Sequence, residues 1–377
     1  MGRAGRTSVR VGFFAPLPPA PTGVADYAEA LLGALRPLVN VEVGDASADV
    51  CIYHLGNNAL HAPIYRRALE RPGLVVLHDA VLHHFLLGSL NETGYVQEFV
   101  YNYGEWMEDR AHALWRGRAR SAAEAEYFAY PMLRRIAERS LGVVVHNPAA
   151  AAMVRAHAPH ARIFEIPHLL LPMPQPDGWA VARRRAELGL PSSAFVFGVF
   201  GHLRESKRIP TVLRAYARIR DAVPARLLIA GEYVSRDLER ALAGPLRQPG
   251  VVRTGHLDAE AFALHMSLAD ACINLRYPAA GETSGIAIRA MQIGRPVLLS
   301  RGQETERLPD SACVRIDSGP VEEEMLATMM LWLAAHPDDA RLIGRCARDH
   351  VLAHHAGEQV ASLYAAALSG CYHQQHS

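Results

Sequence analysis

One lysine stands in a chain that otherwise carries its positive charge on arginine: of the 39 lysines and arginines, only Lys207 is a lysine. An ammonium is a compact point charge on a flexible stem, whereas a guanidinium is a planar fork. The arginine excess reads as the codon bias of a GC-rich genome, so the position that keeps lysine is the informative one. Lys207 lies in GHLRESKR with His202, Arg204 and Arg208, directly after the apolar run AFVFGVFG. Basic residues scattered on a loop are usually solvated; the sole lysine among them points to phosphate contact. A second run, Gly281-Glu282-Thr283-Ser284-Gly285, directly precedes a helix-like stretch. Small residues at a helix start let backbone N–H groups approach a diphosphate at the positive end of the helix dipole. A carboxylate there can accept hydrogen bonds from sugar hydroxyls. Read alone the run is a cap with Glu282 favourable against the dipole, but it is more elaborate than a cap requires.

The first half offers weaker candidates. VRVGFFA runs into a proline-rich loop that ends at Thr22 and Gly23, at the start of a helical pattern. That arrangement suits either a simple cap or a phosphate. GLVVLH delivers His78 and Asp79, with His83 and His84 following. Adjacent histidines on a helix cannot both face one point, so one of the two is expected at the surface. No further ligand has the spacing of a zinc site. His78, at a strand end, can reach a substrate hydroxyl or phosphate, or be a packed structural histidine; both readings stand.

These residues need elements to carry them. VRVGFFA, ADVCIYHL, GLVVLH, LGVVVHN and ARIFEIP alternate with amphipathic stretches such as Val24 to Leu35, the β/α alternation of a parallel sheet. Between Leu82 and Ser140, Phe99, Tyr103, Trp106, Leu114, Leu133 and Ile136 recur at helical spacings, which predicts a helical insertion. LLLPMPQPDG carries three prolines and a glycine and reads as a linker. Alternation restarts with AFVFGVFG, ARLLIAG, GVVRTG, ADACINLR and GRPVLLS, and a helical tail runs from Glu322 to Ala367. The predicted division is a first α/β domain over 1–170 with its insertion at about 82–140, a linker over 171–190, a second α/β domain over 191–355, and a last helix over 356–377. In such open sheets ligands sit outside the carboxyl ends of the strands, where the candidate residues fall.

Composition excludes several classes. A net charge of +1, 50% apolar and 20% charged residues argue against disorder and against a nucleic-acid-binding surface. No run of about 18 apolar residues appears, and MGRAGRTSVR lacks the apolar core of a secretory signal, so the expected location is cytoplasmic. The 5 cysteines are odd in number, dispersed and without a C-x-x-C pair, which predicts free thiols and no zinc site.

In this order the segments resemble the GT-B glycosyltransferases of the large retaining family 4 over nearly the whole chain, most closely in the second domain. Gly201 and Lys207 match the family's G-R-L loop and its following lysine, with His202 at the Arg position and Arg204 or Arg208 left to supply the charge. Ala290-Met291 and Gly294-Arg-Pro-Val297 match the later signature. Arg289 stands at its second Glu, and Glu282 lies one residue from its first, a one-residue loop difference. The Gly-Glu-Thr-Ser-Gly donor loop with Arg before Ala resembles a variant subset, as do Pro18-Pro19, Thr22 to Tyr27, Val75 to Asp79 and Tyr53 to Asn58.

The resemblance implies an α/β fold of two Rossmann-like parallel-sheet domains facing each other across a cleft, with the last helix returning to the first domain. It implies a hexosyltransferase taking its sugar from a nucleotide-diphosphate donor to a glycan, lipid-linked or small-molecule hydroxyl, with retention by front-face attack and domain closure excluding water. His78, Lys207 and Glu282 would then be the catalytic residues. Gly23, His202, Arg204, Arg208, Thr283, Ser284, Gly285 and Arg289 would serve the donor, and Asp79, Asn57 and Asn58 the acceptor side. No Asp-x-Asp motif occurs, so the expectation is transfer without metal or other cofactor. Tyr95, Phe99, Tyr103, Trp106 and Trp115 among arginines suit a packed helical pair, or else a peripheral contact with the inner face of a membrane and a lipid-linked acceptor. Two alternatives stay open: a catalytically silent nucleotide-sugar binder and a nucleotide-sugar epimerase of the same fold.

Overall fold

The computed structural model describes residues 9–376, so the start read above for a secretory signal lies, as far as Ser8, outside the described residues. The chain forms two compact units. One comprises the chain up to Leu171 with Ala280–Thr283 and the chain from His354 onward; the other comprises Pro172–Ala279 and Ser284–Ala353.

The first unit is built on six strands, β1 (Arg10–Phe14), β2 (Asn40–Val43), β3 (Val50–Leu55), β4 (Leu74–Leu77), β5 (Gly142–Val145) and β6 (Ile163–Glu165), in the order β2-β1-β3-β4-β5-β6 and parallel throughout. Every residue of β3, β4 and β5 is buried, which is why they read as unbroken apolar runs. Alternate residues serve opposite faces. Tyr53, Leu55, Val75, Leu77 and Val143 pack with Phe99, Leu114, Leu133 and Ile136 from the 82–140 region, while Ile52, Leu74, Val76 and Val144 pack with Tyr27, Leu31, Val360 and Tyr364. The second face is covered by the helices Gly23–Leu35 and Gly357–Gln375, joined where the hydroxyls of Tyr27 and Tyr364 meet at 2.9 Å. The 82–140 region holds the helices His83–Ser89, Glu92–Tyr103, Glu108–Gly117 and Arg134–Arg139. Trp106 does not join their core: it lies in a short turn of 3₁₀ helix and is 81% exposed.

The second unit repeats the plan with β7 (Phe195–Phe200), β8 (Ala225–Ala230), β9 (Val251–Thr254), β10 (Ala271–Asn274), β11 (Val297–Ser300) and β12 (Val314–Ile316), ordered β12-β11-β10-β7-β8-β9. The helices Ile209–Ile219 and Glu322–Ala335 share its core through Val212, Tyr216, Leu326 and Met330. In both sheets the strand order reverses beside the first strand, between β1 and β3 and between β7 and β10. A crevice opens at such a reversal, outside the carboxyl ends of the strands. Two strands were not read from the sequence, β2 and β12, and both are sheet edges. Among the described residues, no helix is long and apolar enough to cross a membrane.

Candidate functional site

In the second unit the reversal is flanked by the basic loop and by Ser284-Gly285, the end of the second run that the sequence singled out. β7 ends at Phe200, and Gly201 turns the chain with φ +78 into the basic loop. A parallel bridge from Leu203 to Tyr233 and a hydrogen bond from Tyr277 N–H to Ser206 O, 2.8 Å, hold that loop. Lys207 is buried, not solvated, and its Nζ donates to the carbonyl of Phe200. Burial, and then the guanidinium groups of Arg276 and Arg204, push its pKa well below the ordinary lysine value. His202 and Arg204 are exposed beside it. Arg208 adopts a left-handed conformation, φ +57, and reaches the buried carboxylate of Glu322 at 2.8 Å, so its charge already has a partner in the fold.

One strand over, Asn274 at the end of β10 donates to Ser284 Oγ at 2.7 Å, and the same oxygen accepts from Ala287 N–H at 3.3 Å, capping the helix Gly285–Gln292. Ser284 therefore has a capping role at this helix start. Arg289, on that helix, holds its guanidinium 5.5 Å from the ring centre of Phe262.

Within the first unit, Ala280–Thr283 is fastened by residues that the sequence reading did not pick out. Asn147 donates from Nδ2 to Gly281 O at 2.9 Å and lies 3.0 Å from Thr283 Oγ1, while its Oδ1 caps the helix Pro148–His157 through Ala150 N–H at 2.9 Å. The Thr283 hydroxyl donates to His146 O at 3.3 Å, and Ala80 N–H donates to Ala280 O at 2.8 Å. Gly281 has φ +68, and a Cβ there would meet Ala80 Cβ at 2.8 Å, so glycine is required twice over. Glu282 folds back to accept from Ala280 N–H at 2.7 Å. His-Asn-Pro after an apolar run was the available signal for Asn147, an N-cap followed by proline at the first helical position.

Thr22 caps the helix Gly23–Leu35 by accepting from Val24 N–H at 3.4 Å. A Cβ at Gly23 would meet nothing within 4 Å, so the unit's own packing does not demand glycine there. Asp79 accepts from Asn57 N–H at 2.9 Å, Asn57 Oδ1 accepts from Phe85 N–H at 2.7 Å, and Asn58 Oδ1 accepts from Leu60 N–H at 3.0 Å; these three residues shape the loops after β3 and β4. Neither His83 nor His84 lies at the surface as expected for one of them. His83 is buried between Tyr127 O at 2.9 Å and Tyr95 Oη at 2.8 Å, and half-buried His84 reaches Ser121 O at 3.0 Å, because the 82–140 region covers both rings.

His78 sits among other histidines. His54 on β3 places Nδ1 3.0 Å from His78 Nε2, and the two rings stack with centroids 5.3 Å apart. Tyr27 presents its edge to His78 at 4.8 Å and to His168 at 4.9 Å, and His146, just past β5, lies 5.4 Å from His78. Burial lowers His54 to about 3 and His146 to about 4, and takes His78 well below the ordinary histidine value, so all three are neutral at pH 7. Among the described residues, no group of three or more His, Cys, Asp or Glu is placed to hold a metal ion. The cluster escaped the sequence reading because it needs the order of β3, β4 and β5, which no local motif encodes.

No family model matches the sequence, and no curated protein matches it in a sequence comparison. Solved structures do match. HepE from Anabaena, in complex with UDP-glucose, aligns with TM-score 0.66 at 13% identity over 96% of this chain and 99% of its own. Sucrose-phosphate synthase from Thermosynechococcus elongatus aligns with TM-score 0.61 at 19% identity, over 88% of this chain and 75% of its own. WaaG, a glycosyltransferase involved in lipopolysaccharide biosynthesis, gives 0.60 at 15% identity, over 96% of this chain and 100% of its own. With two α/β units, each on a six-stranded parallel sheet, the chain has the fold of the GT-B glycosyltransferases.

Proposed function

We propose that this chain is a retaining hexosyltransferase that takes its sugar from a nucleotide-diphosphate donor, without a metal, and delivers it to a hydroxyl acceptor. The observation that carries the reading is the pairing in the second unit. The loop of the sole lysine and the helix start at Ser284-Gly285 follow adjacent strands, β7 and β10, at the reversal of the sheet. A diphosphate is the ligand that a buried ammonium and a helix N-terminus suit together. The UDP-glucose held by the structural neighbour HepE supports a uridine diphosphate sugar as the first donor to test.

Lys207, His202 and Arg204 then meet the leaving phosphates with the N–H groups at Gly285, and Arg289 stands on the same helix. Arg208 serves indirectly, through its pair with Glu322. Glu282 and Thr283 are assigned to the donor's hexose, Gly23 to its diphosphate and His78 to the sugar near the reacting carbon. Asp79, Asn57 and Asn58 are assigned to the acceptor side, which the first unit recognises. In the reaction the acceptor oxygen bonds to the anomeric carbon as the bond from that carbon to the diphosphate oxygen breaks on the same face. The acceptor proton passes to the departing phosphate, leaving a nucleoside diphosphate and a glycoside of unchanged configuration. Preorganised positive charge at the departing oxygen supplies the stabilisation that a metal gives elsewhere.

The test is incubation of the full chain with UDP-hexoses and a panel of hydroxyl acceptors in the presence of a chelator. Acceptor-dependent release of nucleoside diphosphate, with the donor's anomeric configuration kept in the product by NMR, supports the proposal. Conversion of the donor sugar without acceptor would identify an epimerase, and donor binding without turnover a silent binder; either overturns it.

A further inference from the structure

Parity along the strands places His54, His78 and His146 on the face of the first sheet that Tyr27 covers, at or just past the ends of β3, β4 and β5. Which nitrogen of each ring carries the proton follows from their partners, since a main-chain carbonyl can only accept. His146 Nδ1 lies 2.9 Å from Ile166 O and His61 Nδ1 lies 3.0 Å from His54 O, so both are protonated on Nδ1. Their Nε2 atoms are buried without a hydrogen-bond partner, which a bare lone pair tolerates better than an N–H does.

His54 obeys the same constraint. Its Nε2 is also buried without a partner, and its Nδ1 faces His78 Nε2 at 3.0 Å. One proton lies between these two nitrogens. If it belonged to His78, neutral His54 would carry its own proton on Nε2, an N–H sealed in the core with no acceptor. If it belongs to His54, the core holds only a lone pair at that point. His78 Nε2 is then the acceptor, and neutral His78 carries its proton on Nδ1.

We propose that His54 is a positioning residue that fixes His78 in its Nδ1–H form, so that His78 meets its ligand as a hydrogen-bond donor and not as a base. The ligand atom opposite Nδ1 is accordingly an acceptor, an oxygen of the donor sugar or of its phosphate. This rests on the assignment of His78 to the donor made above and deepens it. A histidine held this way cannot take the acceptor hydroxyl's proton at Nδ1, which leaves that proton to the departing phosphate.

The direct test is long-range ¹H–¹⁵N NMR of the full chain labelled at histidine ring nitrogens, with the His78 signals assigned from His78→Gln. Without ligand at pH 7.5, the proposal expects His78 protonated on Nδ1 and bare on Nε2. A proton on Nε2 in the wild-type protein overturns it. In His54→Phe, the His78 signals should move toward the Nε2–H form that free imidazole prefers, and kcat for transfer should fall about tenfold or more. In His54→Asn, whose amide N–H can occupy the place of Nδ1–H, much of both effects should be restored. If His54→Phe folds and leaves the His78 tautomer unchanged, His54 does not fix it and the proposal fails. If His78 is Nδ1–H but no nucleotide sugar perturbs its signals, the pairing with His54 is supported and the donor assignment of His78 is what fails.

Discussion

A buried ammonium whose partner is a carbonyl, with two guanidinium groups close by, is costly in an empty site and favourable once a diphosphate arrives. Lys207→Ala should therefore lower kcat/KM for the nucleotide sugar by about 100-fold or more while the fold persists, the scale on which removing one preorganised donor acts. Steady-state kinetics beside a thermal melt check this; wild-type turnover would remove the phosphate assignment. Lys207→Arg should not rescue, since Nζ is buried against the carbonyl of Phe200 and a planar guanidinium needs more room. The segments around Lys207 and Ser284 stood out in the sequence because their signals are local: a lone lysine, and a run of small residues directly before a helix. His54 and Asn147 did not. Each acts on residues far away in the chain, His54 across 24 positions and Asn147 across 134, through contacts that exist only once the strands are ordered.

The carboxyl end of β8 is held against the lysine loop by backbone packing that tolerates no side chain. Gly231, at the end of β8, has φ +150, and a Cβ there would lie 2.2 Å from Gly201 O, the turn that opens the lysine loop. Gly231→Ala is expected to cost about 2 to 3 kcal/mol, from strain and the displaced turn together. Urea unfolding measures the loss, and weaker binding of the nucleotide sugar should accompany it. The apolar strands were readable, because burial on both faces makes unbroken hydrophobic runs. β2 and β12 were missed for the converse reason. They are short, Asn-Val-Glu-Val and Val-Arg-Ile, and each has a charged residue between two apolar ones that breaks the hydrophobic run.

At the scale of the whole molecule, the histidines buried neutral in the first unit make stability depend on pH. The folded-state pKa is lowered to about 3 for His54 and about 4 for His83 and His146, from an ordinary value of 6.5. The unfolded chain binds their protons first, so stability is full above about 6.5 and is lost as pH falls from there toward the folded values, with each group costing about 2 kcal/mol by pH 5. Melting temperature measured from pH 7.5 to 4.5 should fall steeply below pH 6.5; a flat profile would mean that these rings are not buried neutral. Thermal shift of the full chain with UDP, GDP, ADP and TDP and their hexose conjugates in a chelator probes the nucleotide-sugar site without metal. One nucleotide family should raise the midpoint by about 2 to 4 °C at a hundredfold excess over Kd, and Lys207→Ala should abolish the shift. Midpoints unmoved by every nucleotide and sugar conjugate at millimolar concentration would contradict such a site.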